Sequence, residues 1–294
     1  MNQQMTASIR PVIVIGAARS GTRFLRDALA ESDTLVPIDH DVSFVWRLGN
    51  HRHPHDEFTP ELATPKIAKR IRSRIDSLAP TAAHQEVVEK TVGNSLRIPF
   101  VKAIYPDARV LVVTRDGREV IQSSHAQWTG GDDWQRWASK LPIFRPADLP
   151  YLAKVGAGLV RARVQPESSA LSPRVWGVRY DGLEDDLASR GVAWVAGQQW
   201  LRCLESTANA MRNGIDAVVT NYQELCDNPH EMKRIANALD IPDADRCASF
   251  IADTSRPSAT GPWSSFLDDD VRASLDPILE RGQELITEME SHRK

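Results

Sequence analysis

Pro11-Val-Ile-Val-Ile15-Gly16-Ala-Ala-Arg19-Ser20-Gly21-Thr22-Arg23 is the stretch that decides how this chain folds. Its first half is a short, unbroken β-branched run, the pattern of a strand buried on both faces. Gly16 ends the run. Phe24, Leu25, Ala28 and Leu29 then recur at helical spacing, with Ser20 and Thr22 in position to cap the helix. The unit reads as strand, glycine-containing turn, helix. The backbone N–H groups of such a turn, reinforced by the helix dipole, form a site for an anion, above all a phosphate.

Outward from this unit the same alternation continues. Val87-Val88, Arg109-Val-Leu-Val-Val113 and Ala217-Val-Val219 are further strand candidates. Residues 117–127 read as a helix, and another starts near Pro229, where proline suits a first helical turn. Val271, Leu275, Ile278, Leu279, Leu285 and Ile286 share one face of a C-terminal helix. Strands separated by helices predict an α/β chain: a three-layer, P-loop-like fold with a central parallel sheet flanked by helices. We expect one domain over residues 1–294, with 51–86 and 129–173 on the substrate side. Residues 51–65 are polar and proline-containing and read as a mobile loop over the site. Ile67, Ile71 and Ile75 predict an amphipathic helix with a basic outer face between Lys66 and Arg74.

Composition narrows the function. The 294 residues carry 36 basic and 39 acidic side chains, a net charge of −3, which argues against a nucleic-acid partner. No apolar run reaches the ~18 residues that a membrane span requires. The first ten residues do not read as a secretory signal. Cys203, Cys226 and Cys247 are widely spaced and odd in number, so we expect buried, reduced thiols and a cytoplasmic protein. His51-Arg-His-Pro-His55 lacks the partners that a metal site needs. Eight tryptophans are present; Trp128, Trp134 and Trp137 suit either a substrate-side pocket or core packing, whereas Trp194 and Trp200 read as core.

Gly16 and Gly21 have the spacing of an ATP-binding loop, G-x-x-x-x-G-K-[ST], but the next two positions depart from it. Thr22 stands where the lysine belongs, and Arg23 replaces the hydroxyl that holds Mg²⁺. The positive charge has moved to Arg19. These residues point away from an ordinary nucleoside triphosphatase.

Arg19-Ser20-Gly21-Thr22 after a buried strand resembles the 5′-phosphosulfate loop of sulfotransferases that use 3′-phosphoadenylyl sulfate (PAPS) and release PAP. Three later stretches resemble the same family in the same order. Tyr105 to Ser123 is similar to its 3′-phosphate segment, in which Arg115 and Ser123 would share the 3′-phosphate. Asn221 to Pro229 resembles a stretch that places a tyrosine, here Tyr222, near the adenine. Arg256-Pro-Ser-Ala-Thr-Gly261-Pro-Trp263 resembles the C-terminal closing loop and makes Arg256 a second 3′-phosphate ligand. Pro257 and Ser258 replace the usual lysine and glycine there. The resemblance thus implies a donor site of Arg19, Ser20, Gly21, Thr22, Arg23, Arg115, Ser123, Tyr222 and Arg256. It also implies sulfuryl transfer without a metal to a hydroxyl on a carbohydrate, glycolipid or other metabolite.

The resemblance further puts Lys90, in Glu89-Lys90-Thr91, beside the transferred group together with Arg19. Cytosolic small-molecule sulfotransferases have a histidine base two residues after that lysine; this chain has Val92. It is closer to the tyrosylprotein and carbohydrate-type pattern, in which the base follows the first helix, and the offset from Arg19 falls on His40. Asp41, Glu89 and His125 are the alternatives, in that order. Two other functions stay open: an atypical P-loop kinase that needs Mg²⁺, and a non-catalytic PAP-binding protein that has lost its base.

Overall fold

The computed structural model describes residues 10–79, 85–129, 143–145, 175–255 and 262–293. Five strands form one all-parallel sheet: β1 (Val12–Ile15), β2 (Leu35–Pro37), β3 (Glu86–Glu89), β4 (Arg109–Thr114) and β5 (Ala217–Asn221), in the order β2-β3-β1-β4-β5. The sequence reading missed β2. It is three residues long with only Leu35 fully buried, too short to show a period.

The alternation of side chains across the sheet explains why β1 and β4 are apolar without interruption. Ile13, Ile15, Val110 and Val112 point into one core, Val12, Val14, Leu111 and Val113 into the other. The second core is closed by α1 (Thr22–Leu29) and by the helices here called α8 (Pro229–Ala238) and α9 (Ala244–Thr254). The first is closed by α2 (Ser43–Trp46), α3 (Pro65–Leu78), α4 (Ile98–Ile104), α5 (Gly117–Thr129), α6 (Leu183–Arg212) and α10 (Asp269–Ser291). Between β5 and α8 lies α7 (Tyr222–Asp227). Helix, sheet and helix make the expected three layers.

Local signals explain several boundaries. The Asn221 and Asn228 side chains accept from Gln223 N–H (2.9 Å) and His230 N–H (3.1 Å), capping α7 and α8, with Pro229 in the first turn of α8. α3 buries Ala68, Ile71, Arg74 and Ile75 and exposes Lys66, Lys69, Arg70 and Arg72, the expected basic face. Trp200 is core, 1% exposed, and Trp194 is partly buried. All three cysteines are free; Cys203 and Cys247 are buried, whereas Cys226 is only half-buried.

One expectation is corrected. The 51–65 stretch is not merely a solvated loop: Asp56 and Phe58 within it are buried. Asp56 accepts from Arg47 at 2.7 Å and Arg97 at 3.3 Å, and from Arg179 N–H at 2.9 Å. A single carboxylate thereby ties loop, α2 and α4 together, which its polar composition concealed. The expected substrate-side segment 129–173 lies outside the described residues except for Thr129 and 143–145. No described helix is long and apolar enough to cross a membrane.

Candidate functional site

β1 and β4 are neighbours, yet the chain leaves them in opposite directions, through α1 on one face and α5 on the other. In parallel sheets the crevice at the carboxyl ends of such a pair is where ligands bind. The 16–22 turn and Arg115 meet there.

Gly16 is required by close approach: a Cβ would stand 2.7 Å from the Val113 carbonyl. Ser95 clamps it, its Oγ accepting from Gly16 N–H at 3.1 Å and donating to Gly16 O at 2.9 Å. Arg19 then adopts φ 70°, a left-handed conformation that costs a side-chain-bearing residue of order 1 kcal/mol and is commonest at functional sites. Ser20 is 1% exposed, and its N–H donates to Ala17 O at 3.1 Å. Gly21, at φ 93°, is the N-cap of α1, and a Cβ there would lie 2.2 Å from Tyr222 Cδ2. Contrary to the sequence expectation, neither Ser20 nor Thr22 caps α1; no side chain does. The turn therefore curls around its own backbone at an uncapped helix start, the arrangement suited to an anion.

Arg115 closes the other side. Its Nε donates to Glu119 Oε2 at 2.7 Å and one terminal nitrogen to the carbonyl of Arg19 at 2.9 Å. Its guanidinium lies 4.2 Å over the Tyr222 ring, and its own carbonyl accepts from the Trp200 indole at 3.2 Å. The Nε of Arg19 donates to Ser123 Oγ at 2.7 Å. Arg19, Gly21, Arg115, Ser123 and Tyr222, spread over two hundred residues of chain, thus converge. Two guanidiniums and a hydroxyl beside an uncapped helix start make an arrangement chemically suited to an anionic ligand. The Tyr222 ring carries Arg115 on its face, so in this structure it acts as a shelf for the guanidinium.

Lys90 and Asp41 meet beyond the ends of β3 and β2, and His40 precedes Asp41 in the chain. The Asp41 Oδ2 stands 3.9 Å from Lys90 Nζ and accepts from Val92 N–H at 3.0 Å. Its Oδ1 accepts from the Ser43 N–H (3.2 Å) and hydroxyl (2.7 Å). His40 is half-buried at the bend just before it, and the carbonyl of Ile38 is held by Arg26 at 2.8 Å. Glu89 is wholly buried; loss of hydration pushes its carboxyl up to about 7, with Asp41 adding to the shift while Thr91 and Lys90 oppose it.

The remaining candidates lie elsewhere. Arg23 is 79% exposed and reaches Asp27 at 3.6 Å along α1. His125 packs edge-on against Phe266, ring centroids 5.2 Å apart, and desolvation lowers its pKa. Arg256 falls outside the described residues, as do Trp134 and Trp137. Ser95, the bond from the Trp200 indole to the Arg115 carbonyl and the Asn94–Arg97–Asp56 chain were not anticipated. Their one sequence signal was the unusual density of polar residues after β3, Thr91 to Arg97. A groove of about 740 Å³ also opens between the start of α5 and α10. Its rim of Asp116, Asp276, Glu280 and Glu284 is unsuited to an anionic ligand.

No curated protein sequence matches the chain. Among solved structures, the sulfotransferase STF9 from Mycobacterium avium is 15% identical with a TM-score of 0.51, over 93% of this chain and 76% of that one. A sulfotransferase domain from the curacin biosynthetic pathway is 13% identical with a TM-score of 0.51, over 97% of this chain and 99% of that one. At these identities the likeness is one of fold. The sequence model of the Sulfotransferase family matches residues 11–190, from the first strand through the 16–22 turn, Lys90, Arg115 and Ser123. The chain belongs to the sulfotransferase family.

Proposed function

We propose that this chain transfers a sulfuryl group from PAPS to a hydroxyl on a carbohydrate, glycolipid or other metabolite. The observation that carries the reading is the convergence of Arg115, Ser123 and Arg19 on the turn between β1 and α1. A nucleotide with phosphates at both 5′ and 3′ needs two anion sites one ribose apart. The 16–22 turn supplies one, and Arg115 with Ser123 supplies the other. ATP has no 3′-phosphate and leaves the second site unused.

PAPS contributes a sulfuryl group joined to its 5′-phosphate. The amides of the 16–22 turn and Arg19 stabilise the negative charge that grows on the phosphate as it leaves. Arg115 grips the 3′-phosphate with its planar fork, held in place by Glu119, Trp200 and Tyr222. Thr22 and Ser20 are buried within the turn and back its shape; Gly21 adds its backbone amide, Arg23 contributes charge from the exposed side of α1, and Arg256 is the second 3′-phosphate ligand that the family resemblance implies. Lys90 faces the transferred group, with Asp41 beside it. His40 accepts the proton of the attacking hydroxyl, geometry that a half-buried imidazole at the end of β2 suits. Charge stabilisation by arginine and lysine leaves no step that requires a metal.

The test is calorimetric titration of the purified chain with PAP, ADP, and ATP with Mg²⁺. Tight binding of PAP and weak binding of the other two is the expected result. Preference for ATP with Mg²⁺ overturns the reading in favour of a kinase.

A further inference from the structure

Behind Lys90 lies a polar cluster that the reaction does not touch. Glu89, Thr91, Asn94 and Arg97 are each 0% exposed. The polarity of their hydrogen bonds follows from groups that can only donate. Arg97 Nε is such a group, so the Asn94 atom 2.9 Å from it is the amide oxygen, and the Asn94 nitrogen faces Glu89 Oε2 at 3.0 Å. The Val42 N–H is another. Thr91 Oγ accepts from it at 3.0 Å, and the Thr91 proton therefore goes to Glu89 Oε1. Both carboxyl oxygens accept. A protonated Glu89 would leave the Thr91 or the Asn94 hydrogen without an acceptor in a site closed to water.

Val42 follows directly on His40 and Asp41. On one side the turn is held through Val42 N–H to Thr91; on the other, Asp41 Oδ2 accepts from Val92 N–H at 3.0 Å. We propose that Glu89 and Thr91 are positioning residues that latch the His40–Asp41 turn to the Lys90 segment, and that the latch closes only with Glu89 ionised. Its catalytic consequence rests on the sulfuryl-transfer reading; the latch itself does not. The charged and titratable groups around Glu89 are Asp41 from the turn after β2, Lys90 beside it, Tyr105 at the end of α4, and, through Asn94, Arg97 with Asp56 and Arg47 behind it. Burial holds the Glu89 carboxyl at about 7, so the latch opens and closes around neutrality.

The experiment follows the Val42 amide resonance of the full chain from pH 5 to 9, together with PAP affinity and the release of sulfate from PAPS to water. The Val42 resonance should titrate with a midpoint near that of Glu89. The midpoint should vanish in Thr91→Val and in Glu89→Gln, and return in Thr91→Ser, with PAP affinity kept within about twofold because the nucleotide site is independent. Sulfate release should lose its acid limb in Thr91→Val and regain it in Thr91→Ser. Glu89→Gln keeps the test open should Thr91→Val fail to fold. An unchanged Val42 titration in either variant overturns the latch, even if PAP binds. A chain that binds no PAP yet loses the Val42 midpoint in Thr91→Val retains the latch and overturns the PAPS-donor reading instead.

Discussion

The two ends of the site are built by opposite means. At the β1–β4 edge, the proposed binding groups come from a contiguous backbone turn, from exposed Arg19 and from half-buried Arg115, which donates to the Arg19 carbonyl. At the β2–β3 edge, Glu89, Thr91, Asn94, Ser95 and Arg97 are wholly out of water and draw on partners far along the chain, such as Val42 and Asp56, while one terminal nitrogen of Arg97 is buried without a hydrogen bond among the described residues. The first edge is the more open to solvent, which suits the proposed exchange of a charged ligand. The second is a closed polar core, where each group depends on its neighbour because an unpaired buried charge or donor is costly. One edge should therefore lose affinity when altered, the other stability.

The largest effect that tests this contrast is Asp56→Ala. It strands the guanidiniums of Arg47 and Arg97 in the interior, and such losses cost about 3–5 kcal/mol. Denaturant unfolding should register that loss, while the folded protein keeps its PAP affinity. A change below about 1 kcal/mol would mean that the β2–β3 edge does not depend on charge pairing.

Next comes pH. The folded Glu89 carboxyl, at about 7, lies above its ordinary value of 4.5, so the folded chain holds the proton more tightly than the unfolded one. This contribution to stability is present below pH 4.5 and is lost as pH rises through 7, by up to about 3 kcal/mol. Stability and latch closure thus run in opposite directions. Unfolding midpoints measured from pH 5 to 8 should fall with pH in the wild type and flatten in Glu89→Gln.

Gly21→Ala probes the open edge. The substitution meets both the positive φ and the Tyr222 ring, an overlap worth about 1–3 kcal/mol, and should appear mainly as weakened PAP binding in a calorimeter. The smallest effect belongs to Arg23→Ala. With its side chain 79% exposed, it should change stability by less than about 0.5 kcal/mol in the same denaturant assay, and a larger change would place Arg23 inside the site's framework.

The same contrast governs what the sequence revealed. Gly16, Gly21 and the apolar runs of β1 and β4 declare themselves because turns and doubly buried strands constrain residue type locally. Arg115 and Ser123 were singled out by the resemblance of Tyr105 to Ser123 to the family's 3′-phosphate segment, and no local pattern alone would have marked them. β2 was too short to carry a period. Ser20 and Thr22 looked like helix caps, but the turn spends its geometry on its own backbone instead. Asp56 and Arg97 were illegible because a buried ion pair and a solvated charge are written with the same letters. Only the fold, which brings residues 47, 56, 94 and 97 together, tells them apart.

The central claim, that Arg115 and Ser123 form a 3′-phosphate site, is tested most directly by a binding cycle. PAP and 5′-AMP, which differ by the 3′-phosphate, are titrated into the wild type and into Arg115→Ala. The account predicts that the wild type prefers PAP and that Arg115→Ala removes about 1.5–3 kcal/mol from PAP binding while leaving 5′-AMP nearly unchanged. Equal affinity of the wild type for the two nucleotides, or an equal loss of both in the variant, would contradict it.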